Sequence, residues 1–241
     1  MQFKLWHARN SRSLRVLWTF EECGLRRGHG YQLVALPFPP RVHAPSFLRT
    51  NPLGTVPWFE HFAADRAAPR AAMSESCAVP LYVVEQLRSP LLVDSSEPER
   101  GAFLNWLFHA DATLTFPQSI TMRYGFYEPG RADAAAEDYA KWYLARLRLL
   151  SAHLEGGRDY LCGDRFTVAD ICITFALFNA SEHGLLGSML AASGREPLCV
   201  RYKPQVSAYM ARMIARPSWR AAQEEQSKAE AEQHANELVD A

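Results

Sequence analysis

Apolar residues fall into short extended runs in the first third of this chain and recur at helical spacing through the rest. Phe3-Lys4-Leu5-Trp6-His7 reads as a strand, and Tyr31-Gln32-Leu33-Val34-Ala35-Leu36, rich in strand formers, as a second. Between them lie a polar loop, Ala8 to Ser13, and a helix from Leu14 to Leu25 that stops at Gly24. Ser89-Pro90-Leu91-Leu92-Val93-Asp94-Ser95-Ser96-Glu97-Pro98 breaks the pattern with two prolines and a polar cluster, which marks a linker. Beyond it the chain reads as helix. Glu99 to Tyr124 carries Phe103, Leu104, Leu107, Phe108, Leu114 and Phe116 at helical spacing, with Pro117 expected to bend it. Ala134 to Leu154 repeats the pattern through Tyr139, Trp142, Tyr143, Leu147, Leu150 and Leu154, and Gly156-Gly157 ends it. Thr167 three residues before Asp170 is a capping-box start for a buried helix through Ile173, Phe175 and Phe178. From Gln223 onward the sequence is charged, polar and alanine-rich, the pattern of a solvated helical or frayed tail.

The stretch Asn51-Pro52-Leu53-Gly54-Thr55-Val56-Pro57-Trp58-Phe59-Glu60 adds chemistry to this outline. It reads as a turn leading into a strand that opens with Val56-Pro57. An X-Pro bond is the only common place for a cis peptide, and a turn of that kind lets Val56 offer its N–H and C=O to an extended ligand. After a hairpin-like insertion, Ala63 to Ala72, comes Met73-Ser74-Glu75-Ser76. Ser76 suits an N-cap, and Pro80 falls early enough in the following helix to be tolerated. A helix N-terminus with a serine hydroxyl suits a carboxylate, and Glu75 suits an ammonium. Together the pieces suit a small anionic peptide.

At 241 residues with 48% hydrophobic content, the chain has room for two ordinary domains and a sizeable core. Lysine plus arginine and aspartate plus glutamate are equal at 26 each, so no nucleic-acid field and no polybasic membrane attraction is implied. The N-terminal residues lack the pattern of an export signal and no run approaches a membrane span, from which a cytoplasmic location is expected. Five cysteines without a Cys-x-x-Cys pair argue against a disulfide scaffold. Eight scattered histidines lack zinc-site spacing, and no Walker loop, Gly-x-Ser-x-Gly elbow or Gly-x-Gly-x-x-Gly turn occurs, so neither a metal nor a nucleotide cofactor is expected.

The order of these pieces, strand, polar loop, helix, strand, Val-Pro turn and Glu-Ser helix, resembles the glutathione transferase family over nearly the whole length, in its bacterial cytosolic form. The resemblance implies an α/β thioredoxin-like domain over 1–88, a linker over 89–98 and an all-α domain over 99–241. It implies glutathione as co-substrate, a homodimer, and activation of the glutathione thiol for conjugation to a small hydrophobic electrophile, a detoxification chemistry. Glutathione would be held by the Val56 backbone with Pro57 fixing the turn, by Glu75 at the ammonium, and by Ser76 at the γ-glutamyl carboxylate, with Asn51 and Thr55 as further candidates. The thiol needs a hydrogen-bond donor from the loop, because a free thiol ionises near pH ~8.5. Counting back from Gly24, Asn10 falls where serine-type members carry their hydroxyl and Arg12 where cysteine-type members carry their cysteine. Ser11 is the first expectation for the donor, Asn10 its close rival, and Ser13 the expected helix cap. Phe108, His109, Asp111, Thr115, Phe116 and Tyr124 are candidates for the electrophile pocket. Two alternatives stand beside transfer: a glutathione-dependent peroxidase or disulfide reductase, favoured if Asn10 is the thiol partner, and a non-catalytic ligand carrier or interaction module.

Overall fold

The computed structural model describes residues 2–63 and 68–239. The chain forms two compact units, one of Met1–Ser89 with Arg216–Ala241, the other of Pro90–Ala215.

Unit 1 is built on four strands, β1 (Gln2–His7), β2 (Tyr31–Ala35), β3 (Trp58–Phe62) and β4 (Ala71–Met73), in the order β2-β1-β3-β4. β1 runs parallel to β2 and antiparallel to β3, with Trp6 opposite Trp58, and β3 runs antiparallel to β4, with Phe59 opposite Met73. The parallel pair needs a crossover, and α1 (Leu14–Glu22) supplies it. Alternate residues of β1 point inward: Phe3 stacks on Phe20 of α1 at 5.7 Å and lies 5.5 Å from Phe59 of β3. Each fully buried aromatic of this kind stabilises the fold by about 2 kcal/mol. α2 (Pro40–His43) is a single turn, and α3 (Ala78–Leu87) packs against α1. Residues 64–67 of the expected insertion lie outside the described residues; β3 and β4, on either side of it, pair antiparallel.

The charged tail is the largest departure from expectation. α10 (Pro217–Val239) packs on α1 and β2 rather than standing in solvent, so the chain from Arg216 belongs with unit 1 and not with the helical unit. Trp219, Ala222, Gln226 and Ala229 are buried at three- and four-residue spacing, a narrow stripe that alanine and glutamine conceal in a composition count. Trp219 meets Trp18 edge-on at 4.9 Å, and Trp18 donates its indole N–H to Ser218 at 3.0 Å. Arg216 pairs with Glu22, and Arg27 makes a two-pronged bond to Glu232 at 3.1 and 2.6 Å.

Unit 2 holds α4 (Arg100–Phe108), α5 (Phe116–Met122), α6 (Asp133–Leu154), α7 (Val168–Asn179), α8 (Leu185–Ala192) and α9 (Pro204–Ile214). The expected helix from Glu99 to Tyr124 is present but widens to π geometry at His109–Thr115 and Arg123–Tyr127. Pro117 has no N–H to give Thr113, and the wider turn is matched by Thr115, whose hydroxyl donates to the carbonyl of Ala110 at 2.8 Å. Every residue from Val168 to Phe178 is buried, which makes α7 the centre of the unit. Its start is the expected capping box, with the Thr167 N–H donating to Asp170 Oδ2 at 2.9 Å. Trp142, placed by its spacing on the apolar side of α6, is instead 48% exposed, with Arg146 over its ring at 4.7 Å.

Candidate functional site

The sheet register gathers the sequence candidates of unit 1 at one end. β1 ends at His7, β3 begins at Trp58, and β4 ends at Met73, so the loop 8–13, the Val56-Pro57 turn and Glu75-Ser76 leave the same edge. Trp6, Ala8, Phe47 and Val56 pack together there.

The Val56-Pro57 peptide is cis. Val56 is buried, yet neither its N–H nor its C=O pairs with a described residue. Buried backbone groups are almost always paired, so an unpaired strand-like residue at a sheet end is set up for an extended ligand. Asn51 builds the turn from within: it is buried, its amide donates to the Thr55 carbonyl at 2.8 Å, and its oxygen accepts from the Leu53 N–H at 3.1 Å. Thr55 is half-buried behind that bond. Gly54 is required where it stands, with φ +59°, and a Cβ there would lie 2.7 Å from Arg41 Cβ.

Ser76 does not cap α3. Cys77 holds the cap position, and the Ser76 oxygen accepts a 2.7 Å hydrogen bond from Arg15, a fully buried guanidinium of α1. Arg15 carries its charge at any working pH. With that bond made, the Ser76 hydroxyl proton meets no acceptor among the described residues, which suits an incoming carboxylate beside a cation. Sequence reading missed Arg15, because an arginine inside an apolar helical run looks like its solvated face. Glu75 is exposed, with Ser74 3.5 Å from its carboxylate, as an ammonium partner should be.

The loop after β1 places its two serines and its asparagine differently. Ser11 is buried and its hydroxyl lies 2.7 Å from that of Ser13. Ser13 occupies the cap position of α1 but makes no cap bond; its hydroxyl accepts from the Ala8 N–H at 3.3 Å and lies 2.8 Å from His7 Nδ1. Burial lowers the His7 pKa to about 4, an effect the Gln226 side chain beside it opposes in part, so His7 is neutral at pH 7. Its Nε2 makes no hydrogen bond of normal geometry. Asn10 is the half-buried residue of the loop, held at φ 52°, a left-handed conformation that asparagine tolerates. Its backbone N–H donates to Gln226 Oε1 at 3.1 Å, and Gln226 Nε2 donates back to Asn10 Oδ1 at 2.9 Å. Gln226 escaped sequence reading because it lies 216 residues away in the alanine-rich tail.

The candidates for a second pocket all lie in unit 2. Phe108 and Phe116 are 69% and 48% exposed, His109 is half-buried edge-on against Trp106 at 5.5 Å, and burial lowers its pKa. Asp111 and Tyr124 are half-buried, and Arg123 lies 5.5 Å from the Tyr124 ring. Among the described residues no group of three or more metal-ligating side chains comes together, and no helix is long and apolar enough to cross a membrane.

Residues 1–85 match the model of the glutathione S-transferase N-terminal domain and residues 128–217 that of the C-terminal domain, together well over half of the chain. The chain belongs to the glutathione S-transferase family. It is 27% identical to glutathione S-transferase 3 of Zea mays over 86% of each chain. It is also 33% identical to elongation factor 1-gamma of Artemia salina over 58% of its own length, but spans only 30% of that relative. Among solved structures, a glutathione transferase of Phanerochaete chrysosporium with oxidized glutathione superposes with a TM-score of 0.73, at 18% identity over 95% of this chain and 97% of the other. A sphingomonad glutathione S-transferase complexed with glutathione gives 0.70 at 23% identity, over 93% and 98%. These superpositions carry the fold, a thioredoxin-like domain with a helical domain.

Proposed function

We propose that this protein is a glutathione transferase that binds glutathione at the sheet end of unit 1 and activates its thiol for attack on a small hydrophobic electrophile. The observation that carries the reading is the meeting, on one edge, of an unpaired Val56 backbone, a Ser76 hydroxyl backed by the Arg15 charge, and a donor-bearing loop at the start of α1. Val56 pairs with the cysteinyl backbone, Ser76 with Arg15 behind it binds the γ-glutamyl carboxylate, and Glu75 faces the ammonium. Asn51 and Thr55 shape the turn rather than touch the ligand.

Asn10 is the better donor to sulfur, a choice that keeps the glutathione-dependent peroxidase or disulfide reductase beside transfer as a rival activity of the same site. The Ser11 hydroxyl is buried against that of Ser13, whereas Asn10 is half-buried and its amide is of a kind that can donate to sulfur. An N–H bond to sulfur and the positive end of α1 favour the thiolate, at about 1.4 kcal/mol for each pKa unit of lowering. The proton leaves to solvent, and the thiolate sulfur forms a bond to the electrophilic carbon as the leaving group departs with its electron pair. No base is required. The exposed Phe108 and Phe116, with His109, Asp111, Thr115 and Tyr124, are where the electrophile's apolar body is expected. A homodimer in the cytoplasm, of the bacterial cytosolic type and working in detoxification, completes the reading.

The relatives named for translation elongation favour a second reading, a non-catalytic ligand-binding or interaction module on the same fold. Turnover separates the two. With an aryl halide and glutathione, Asn10→Ala is expected to lower kcat/KM by about 10- to 100-fold, consistent with loss of about 1–3 kcal/mol of anion stabilisation, and Ser11→Ala by less than about threefold. A larger loss from Ser11→Ala would return the catalytic role to Ser11. Hydroperoxide turnover exceeding aryl halide turnover would place the chemistry with the peroxidases and reductases, and no turnover on either would favour the module.

A further inference from the structure

We infer that unit 2 carries a small-molecule site of its own, separate from the glutathione edge of unit 1, which takes a monocarboxylate with a flat apolar body and holds the carboxylate on Arg195.

A cavity of about 290 Å³ opens in unit 2 between the end of α5, the first turns of α6, the last turn of α8 and the 3-10 turn Leu198–Arg201. Every residue that lines it belongs to unit 2. That volume lies at the lower edge of the range of small-molecule sites, about 300–1,000 Å³. The deep part of the lining is apolar: Ala136, Leu190 and Leu198 are buried and Ala140 is half-buried. Thr121 is the polar residue among them, and its hydroxyl is directed at the backbone carbonyls of Pro117 and Ala136, at 3.0 and 3.3 Å. A wall of this kind offers water few bonds and favours an apolar body.

Charge sets which end of the ligand goes where. The charged lining consists of three cations, Lys141, Arg195 and Arg201, and two acids, Glu137 and Glu196. Lys141 is met by Asp138 at 3.4 Å and Arg201 by Glu196 at 4.0 Å. Arg195 is half-buried, and among the described residues its guanidinium has neither a hydrogen-bond nor an ion-pair partner. Withdrawing a cation from water without a partner is costly, and a carboxylate is the group whose two oxygens match the guanidinium fork. Glu137 and Glu196 are exposed at the rim, where they oppose a dianion such as phosphate more than a monoanion.

Arg195 is held at both ends. The Gly194 N–H donates to the Ala191 carbonyl at 3.0 Å and the Arg195 N–H to the Leu190 carbonyl at 2.8 Å, with Gly194 at φ +76°, the paired turn that closes a helix C-terminus. At its tip, one guanidinium nitrogen rests on Gly125 in the wide turn Arg123–Tyr127, and would lie 2.6 Å from a Cβ placed there. A side chain fixed in this way has little freedom left to lose on binding.

The test is a calorimetric titration of the full chain with 1-naphthoate, with and without saturating reduced glutathione. Saturable binding at one site per chain is expected, unaffected by glutathione. Arg195→Gln is expected to weaken it by about 10- to 100-fold, and Arg195→Lys, which keeps the charge but not the fork, by less. Ala140→Leu fills the cavity from α6 without touching a charge and is expected to weaken binding by about tenfold or more. The uncharged 1-naphthamide should bind the parent weakly and Arg195→Gln no worse. Thermal midpoints should stay near that of the parent in Arg195→Gln, because the guanidinium makes no bond within the protein, and Ala140→Leu gives a readout that does not depend on that residue. No saturable binding at millimolar 1-naphthoate, or equal binding by the parent, Arg195→Gln and Ala140→Leu, would overturn the inference. Displacement of 1-naphthoate by glutathione would place the probe in the site of unit 1 and overturn it too. Saturable binding of inorganic phosphate that Arg195→Gln abolishes would contradict the ligand class. None of these results bears on glutathione binding itself, which the same samples report separately.

Discussion

Each unit of this molecule buries a polar network, and the two networks are finished to different degrees. In unit 2, Asp170 sits fully inside and accepts from the Leu161 N–H, the Thr167 N–H, the Thr167 hydroxyl and the Tyr209 hydroxyl, all between 2.9 and 3.0 Å. Every partner is protein. Burial raises its pKa to about 6 against those donors, so it is charged at pH 7 and stitches the start of α7 to α9 and to the preceding loop. In unit 1, the chain from Ser11 through Ser13 reaches His7, whose ring meets the Gln226 side chain, while at the same sheet end the Val56 backbone pairs with no described residue. A network closed on itself serves folding; one left open at a sheet end awaits a ligand.

The sharpest way to break this comparison is to remove a member of the closed network. Asp170→Ala strands buried donors and deletes the capping box, and is expected to cost about 3–5 kcal/mol in urea unfolding. A loss below about 1 kcal/mol would mean that water or rearrangement replaces the carboxylate and that the network is not what secures α7.

The two networks should also respond to pH with opposite sign. The folded pKa of His7 lies near 4, below the ordinary histidine value of 6.5, so the unfolded chain binds the proton better and stability is lost as pH falls from 6.5 toward 4. The folded pKa of Asp170 lies near 6, above 3.8, so its contribution is full below 3.8 and is lost as pH rises through 6. Between pH 7.5 and 4.5 the stability advantage of the parent over His7→Gln should narrow by about 2–3 kcal/mol, and its advantage over Asp170→Asn should widen by a similar amount. Shifts of the same sign would show that one of these groups is not buried as described.

The open network and its neighbours should matter for ligand as well as for fold. Ser76→Ala is expected to weaken glutathione binding by about 1–3 kcal/mol, with a stability loss of about 1–3 kcal/mol because the buried Arg15 guanidinium loses this acceptor, below that of Asp170→Ala. A large stability loss with unchanged affinity would make Ser76 structural, like Asp170.

Much of this was legible in the residues. The strands at Phe3 and Tyr31, the crossover helix, the Val56-Pro57 turn and the Thr167-Asp170 box each carry a local signal, because turn and cap chemistry act within a few residues. What stayed hidden depends on distant partners. Gln226 reaches Asn10 from the far end of the chain, Arg15 backs Ser76 across 61 residues, and the α10 stripe uses alanines that carry little hydrophobic signal. The burial of Ser11 against Ser13 was likewise not legible, because it depends on how the loop packs rather than on residue type.

The most direct test of the central claim is a calorimetric titration of the purified protein with reduced glutathione. The account predicts saturable binding at one site per chain, weakened by Ser76→Ala. Absence of binding at millimolar glutathione would contradict it, leaving the fold in place and the open edge of unit 1 to some other ligand or partner.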